Sequence, residues 1–147
     1  MATNPVTTSS IREYATPTLP DAEVARLLEE LGKAITAGDG KAAADLWAVP
    51  ALVLSDQDVR SVSSRDELAS FYESAKEEYQ AQGITDTRPE VRNLTWITRE
   101  LALVEVRWPW LTESRDEKGD ETSTYVLRRD ERGTLKIQVA LAHGSRD

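Results

Sequence analysis

The chain predicts an α+β domain whose helices pack on one face of a curved antiparallel sheet. Three observations carry that reading. Apolar residues recur with a period near 3.6 in the first half of the chain. After Gly83 the period drops to 2 and, turns apart, stays there. The connections in that second half are short, which favours antiparallel neighbours. With 147 residues, 39% of them hydrophobic, one domain can bury a sizeable core without disulfides or a structural metal.

The elements follow in order. Residues 1–18 are rich in Thr and Ser, with little apolar surface to offset ordering, and read as a flexible arm ahead of a single domain over 19–147. They hold no apolar run of signal-peptide or membrane-spanning length, so a cytoplasmic location is expected. Val24, Leu27, Leu28, Leu31 and Ile35 put one apolar stripe on a first helix, with Thr18 and Asp21 as a capping box and Gly38 at its end. Asp39 then caps a short second helix whose buried side is Ala43, Leu46 and Trp47, limited by Pro50. Two short strands, from Ala51 to Ser55 and from Val59 to Val62, flank the polar turn Asp56-Gln57-Asp58. Ser64 and Glu67 form the capping box of a third helix with the stripe Leu68, Phe71, Tyr72, Ala75 and Tyr79, and Gly83 follows its end. Four strands complete the chain: Glu90 to Thr98, Leu101 to Leu111, Glu121 to Arg129, and Thr134 to Ala142. The charged run Glu113 to Asp120 reads as a connection. Pro109 marks an edge, a bulge or a bend, because it cannot donate to a ladder.

Composition narrows the chemistry. No cysteine means no thiol nucleophile, disulfide framework or Cys-ligated metal, and a single histidine rules out any site that needs two. The net charge of −8 repels phosphate backbones and anionic lipid, so neither nucleic acid nor a membrane surface is an expected partner. Asp56-Gln57-Asp58 lacks the further ligands of a calcium loop, and turn chemistry explains it. Neither a phosphate-binding Gly-rich loop nor a Gly-x-Ser-x-Gly elbow is present. No metal and no cofactor is expected.

Particular phrases carry a resemblance. Ala37-Gly38-Asp39 closes the first helix, Leu46-Trp47-Ala48 leads into Ala51-Leu52-Val53, and Ser64-Arg65-Asp66-Glu67-Leu68-Ala69-Ser70-Phe71-Tyr72 opens the third helix. The chain then closes on Leu127-Arg128-Arg129, Gly133, Leu135-Lys136-Ile137 and Ala142-His143-Gly144-Ser145. Together with the element order, these phrases resemble the nuclear transport factor 2-like superfamily, which includes SnoaL-like cyclases and ketosteroid isomerases. The resemblance spans about Leu19 to Ser145. It implies a cone of three N-terminal helices on a curved sheet, a pocket for a small hydrophobic molecule, and a homodimer paired through the outer sheet face. It does not by itself imply a reaction.

The isomerases of that superfamily use a carboxylate base together with a tyrosine and a protonated aspartate that stabilise an enolate oxygen. Registering the motifs puts Leu31 where the tyrosine would stand, Ser55 at the base with Asp56 one residue late, and Tyr125 near the later acid. That constellation is broken, and no isomerase activity is carried over. The superfamily's epoxide hydrolases need an Asp-Arg-Asp set. Glu105 and Arg107 share one strand face, where an ion pair at solvent or at an interface accounts for them as a water-orienting pair would.

For acid/base catalysis the candidates are Asp56, Tyr125 and His143. His143 has the parity of Leu135, Ile137, Val139 and Leu141 and so is expected on the apolar face. The ligand-pocket candidates are Trp47, Phe71, Tyr72, Trp96, Trp108 and Trp110. Trp108 and Trp110 share a face with Ala102, Val104 and Val106, which lines a pocket, fills the core or forms the dimer surface. Three functions stay open: a small-molecule-binding domain, a SnoaL-like acid/base enzyme and a structural dimerisation module.

Overall fold

The computed structural model describes residues 19–143. The arm expected over 1–18, the capping role of Thr18, and Gly144 and Ser145 lie outside the described residues. Three helices and seven strands follow one another as α1 (Leu19–Ala37), α2 (Gly40–Ala44), β1 (Trp47–Leu54), β2 (Val59–Val62), α3 (Arg65–Ala81), β3 (Ile84–Thr87), β4 (Glu90–Trp96), β5 (Leu101–Thr112), β6 (Glu117–Arg129) and β7 (Leu135–Ala142). The sheet runs β2-β1-β7-β6-β5-β3, and β4 pairs with β5 on the same side as β3. β4 to β7 form the expected antiparallel meander, while β1 adds to β7 in parallel. The sheet is curved and unclosed, with the helices on its inner face.

The helix stripes do the packing that their periods predict. α1 buries Val24, Leu27, Leu28, Leu31 and Ile35 against the sheet. Its exit needs Gly38, whose φ is 68°, and a side chain there would run into Lys76 of α3. Asp39 caps α2, accepting from the Ala42 N–H at 3.1 Å. At the start of α3, Ser64 Oγ accepts from the Glu67 N–H at 3.2 Å. The reciprocal arm of the box is shifted by one residue, since the Glu67 carboxylate accepts from the N–H of Ser63.

In β5, Ala102, Val104, Val106, Trp108 and Trp110 are all buried and face inward, so the two indoles belong to the inner face. The ladder with β6 shifts register between Pro109 and Leu111. At the same place β5 changes its outer neighbour, pairing with β4 up to Arg107 and with β3 from Trp110 onward. The buried Thr87 hydroxyl donates to the Pro109 carbonyl at 2.6 Å and ties β3 to this bulge.

Four expectations need correction. Trp47 does not belong to α2: it opens β1, because the Leu46 carbonyl accepts from the Ile137 N–H and draws the chain into the sheet. β3 is an additional strand, whose Ile84-Thr85-Asp86-Thr87 text is too short and polar to read as one. β6 begins at Glu117, so the turn is confined to the residues just before it, with Arg115 at a φ of 74°. The parity of His143 is reversed, because the β6–β7 register shifts between Val126 and Leu127 and leaves Gln138 as an extra residue. Before that bulge Leu135 and Ile137 point inward; after it Ala140 and Ala142 do, and Val139, Leu141 and His143 point outward.

Candidate functional site

α3 does not press onto the sheet as α1 does. Of its stripe only Leu68 and Tyr72 are buried, and between α3 and the inner face lies a cavity of about 340 Å³. Leu68, Tyr72, Ala75 and Tyr79 form its roof over three turns, roughly 16 Å of helix. Trp47 and Val53 of β1, Trp108 and Trp110 of β5, Tyr125 of β6 and Ala140 of β7 form its floor and walls. The volume falls at the small end of the range for ligand sites.

Two indole–phenol pairs organise the interior. Trp47 Nε1 donates to Tyr72 Oη at 3.1 Å, and Trp108 Nε1 donates to Tyr125 Oη at 3.0 Å. Both hydroxyls are buried, which pushes the Tyr72 phenol well above its ordinary range and the Tyr125 phenol up to about 12. Each therefore remains neutral across the physiological range. With its oxygen already accepting from an indole, each phenol has its own proton to donate. Trp108 also divides the interior. One edge of its ring lies so close to Gly32 of α1 that a Cβ there would sit 3.1 Å from it, and its opposite side faces the cavity.

The two ends of the cavity differ. At one end stand Asp58 and Arg60 beside the β1–β2 turn, with Glu67 at the start of α3. At the other, the Tyr79 and Trp110 rings lie 4.9 Å apart beside Glu121. Glu121 faces inward because it pairs with Trp108 across the ladder, two and four residues before Ser123 and Tyr125. The Glu121 side chain is exposed at the cavity mouth, and its carboxyl is raised above the usual range, first by desolvation against this wall, against a hydrogen bond from the Trp110 indole that lowers it, and further by the carboxylates of Glu78 and Asp120. Burial first, and then the carboxylates of Glu121 and Glu78, raise the Tyr79 phenol.

Residues 22–145 match the family described as NTF2-like protein (DUF6841). The chain belongs to that family. No curated protein matches it in sequence. Among solved structures it is similar to a domain of unknown function with a cystatin-like fold from Nostoc punctiforme, at 19% identity and a TM-score of 0.71 over 90% of this chain and 81% of that one. It is also similar to an NTF2-like protein of unknown function from Shewanella oneidensis, at 16% identity and TM-score 0.66 over 86% of this chain and 100% of the other. A ketosteroid isomerase-like protein from Erwinia carotovora is similar at 13% identity and TM-score 0.61, over 86% and 96%. At these identities the likeness concerns the fold.

Within this NTF2-like frame the candidate residues separate. Trp47, Phe71, Tyr72, Trp108, Trp110 and Tyr125 all line the cavity. Trp96 does not: its Nε1 donates to Asp21 at 3.1 Å, and Arg129 stacks on its ring while forming a bidentate pair with Glu23. It clamps the start of α1 to the sheet. Asp56 stands exposed in the β1–β2 turn, where Ser55 and Asp58, not Asp56, reach the cavity. His143 lies on the outer face, with Nε2 2.7 Å from Thr124 Oγ1. Asp56, Tyr125 and His143 thus do not converge. Leu31, at the isomerase tyrosine's position, is fully buried core. Arg107 points outward and pairs with Glu90, Glu117 and Asp120 rather than Glu105.

The residue that sequence reasoning missed is Glu121. Its signal was present in the period of 2, since Glu121, Ser123 and Tyr125 alternate with Thr122 and Thr124.

Proposed function

We propose that this NTF2-like protein binds a small, largely apolar molecule in the cavity beneath α3. The observation that carries the reading is the pair of buried phenols, each accepting from an indole, among the apolar walls of a chamber whose charged residues stand at its two ends. Fixed donors of this kind orient a ligand through one or two acceptor atoms, while apolar walls supply the affinity. Acid/base catalysis through Asp56, Tyr125 and His143 has no support in their placement, and a purely structural module has no use for the open chamber.

Three tryptophans line the cavity, so occupancy is read from their emission. Titration with n-octanol as a neutral probe is expected to give a saturable change. No saturable change would overturn the reading.

Pairing of two copies through the outer sheet face belongs to the same proposal. Leu52, Val139, Val126 and Leu103 are successive cross-strand partners on that face, and Leu52 and Leu103 are 40% and 37% exposed. A dimer mass by light scattering, reduced to a monomer by Val126→Asp, is the expected result.

A further inference from the structure

Tyr72 stands in the roof of the chamber on α3 and is 9% exposed. Its oxygen accepts from the Trp47 indole at 3.1 Å, and among the described residues this is its only hydrogen bond. An indole nitrogen donates and cannot accept, so the proton of the Tyr72 hydroxyl is left over. Tyr125 differs, because the Ser123 hydroxyl, two residues away on the same strand face, shares a hydrogen bond with it. The carboxylates of the lining, Asp58, Glu67 and Glu121, stand at the two ends of the chamber. Tyr72 lies between those ends, about one helical turn beyond Leu68 and about two before Tyr79.

A hydroxyl proton buried without an acceptor forfeits a bond that water would supply, and a ligand oxygen set beneath it restores that bond. The surrounding lining has little to accept with in return. Ile35, Val53, Ala75 and Ala140 are apolar, and the indoles of Trp47 and Trp108 are donors already spent on the phenols. A hydroxyl, an amide N–H or an ammonium group at Tyr72 would therefore exchange one unmatched donor for another. A carboxylate would bring charge against apolar walls, and Arg60, the one cation among the described lining residues, stands at the Asp58 and Glu67 end. A carbonyl oxygen accepts the proton and brings no donor of its own. We infer that the chamber takes an uncharged carbonyl compound, its oxygen accepting from the Tyr72 hydroxyl and its hydrocarbon arms running towards both ends beneath α3. This assignment rests on the cavity-binding reading above and adds to it the functional group of the ligand and the place of that group inside the skeleton.

The test compares dipropyl ketone with methyl pentyl ketone, isomers whose carbonyl stands mid-chain in the first and near one end in the second, with n-octanol as reference. They are titrated against the parent and the double variant Trp47→Phe with Tyr72→Phe, which removes the donor and its indole together and so orphans no buried N–H. Affinity is read by calorimetry and by the emission of Trp108 and Trp110, which both proteins keep. Infrared difference spectra report the carbonyl stretch of the bound ketone. In the parent, dipropyl ketone is expected to bind about fivefold more tightly than its isomer, the worth of one hydrogen bond, with its stretch at lower wavenumber than in hexane. In the double variant the isomers should bind within about twofold of each other, and the stretch should return to its hexane position. Equal affinities in the parent, a preference that survives the double variant, or a parent-bound stretch at the hexane position would overturn the carbonyl assignment, while saturable binding of n-octanol would leave the cavity reading intact. No saturable change with any of the three probes would overturn both. The infrared measurement on the parent decides the assignment even where the double variant shows no folded state in a thermal melt.

Discussion

Two helices cover the same inner face of one sheet and do it differently. α1 buries seven residues, among them Val24, Leu28 and Leu31 with no exposed surface, and brings Gly32 against the Trp108 ring. α3 buries two, leaves Phe71 48% exposed, and roofs an open chamber. The difference lies in the side chains that meet the sheet. α1 presents aliphatic residues and a glycine, which let it approach closely; α3 presents Tyr72 and Tyr79, whose hydroxyls must keep polar partners and whose length holds the helix away. One half of the cone is therefore closely packed and the other encloses a chamber, with Trp108 lying between them.

The largest test of that contrast is a pair of truncations. Leu31→Ala, beneath α1, should destabilise by about 2–5 kcal/mol in chemical denaturation, whereas Phe71→Ala should cost under about 1 kcal/mol. Similar losses at both sites would remove the distinction. Next comes overfilling. Ala102→Leu enlarges a fully buried side chain in packed core and should cost about 1–3 kcal/mol. Ala140→Leu points into the cavity and should leave stability within about 0.5 kcal/mol while abolishing the n-octanol emission change. A large stability loss at Ala140 would mean that the chamber is already filled by packing.

A third, comparable or smaller effect concerns the phenols. Tyr72→Phe leaves the buried Trp47 indole N–H without its acceptor and should cost about 1–3 kcal/mol by denaturant melts. The smallest effect separates the rim from the core. The fold raises the Glu121 carboxyl above its ordinary value, so the native state holds its proton more tightly than the unfolded chain. The cost of its charge is thus fully present above the raised value and fades as pH falls towards the ordinary carboxylate range. Glu121→Gln should raise the melting temperature slightly near neutral pH and leave it unchanged in acid. A lower melting temperature at neutral pH would show that Glu121 is held by a stabilising partner.

Most of the frame was legible in the residues themselves. The stripes of α1 and α3 follow from i, i+3, i+4 spacing, and the meander follows from alternation with short turns, because both are local consequences of backbone geometry. The errors fall where a distant strand intervened. Trp47 fits a helix by spacing from Ala43, yet β7 captures its strand. β3 exists because the end of β5 is free to pair beyond Pro109. One extra residue at Gln138 moved His143 from the expected inner face to the outer one and dissolved the candidate catalytic set.

By itself, then, the sequence determined which chemistries were available: no thiol, one histidine, several aromatic hydroxyls and indoles, and an excess of carboxylates. It also determined the order and type of nearly every element. Only the tertiary structure decided which side chains share a chamber. That choice depends on strand register and bulges, which are set by pairing between residues far apart in the chain and reverse a side chain's face with a single inserted residue.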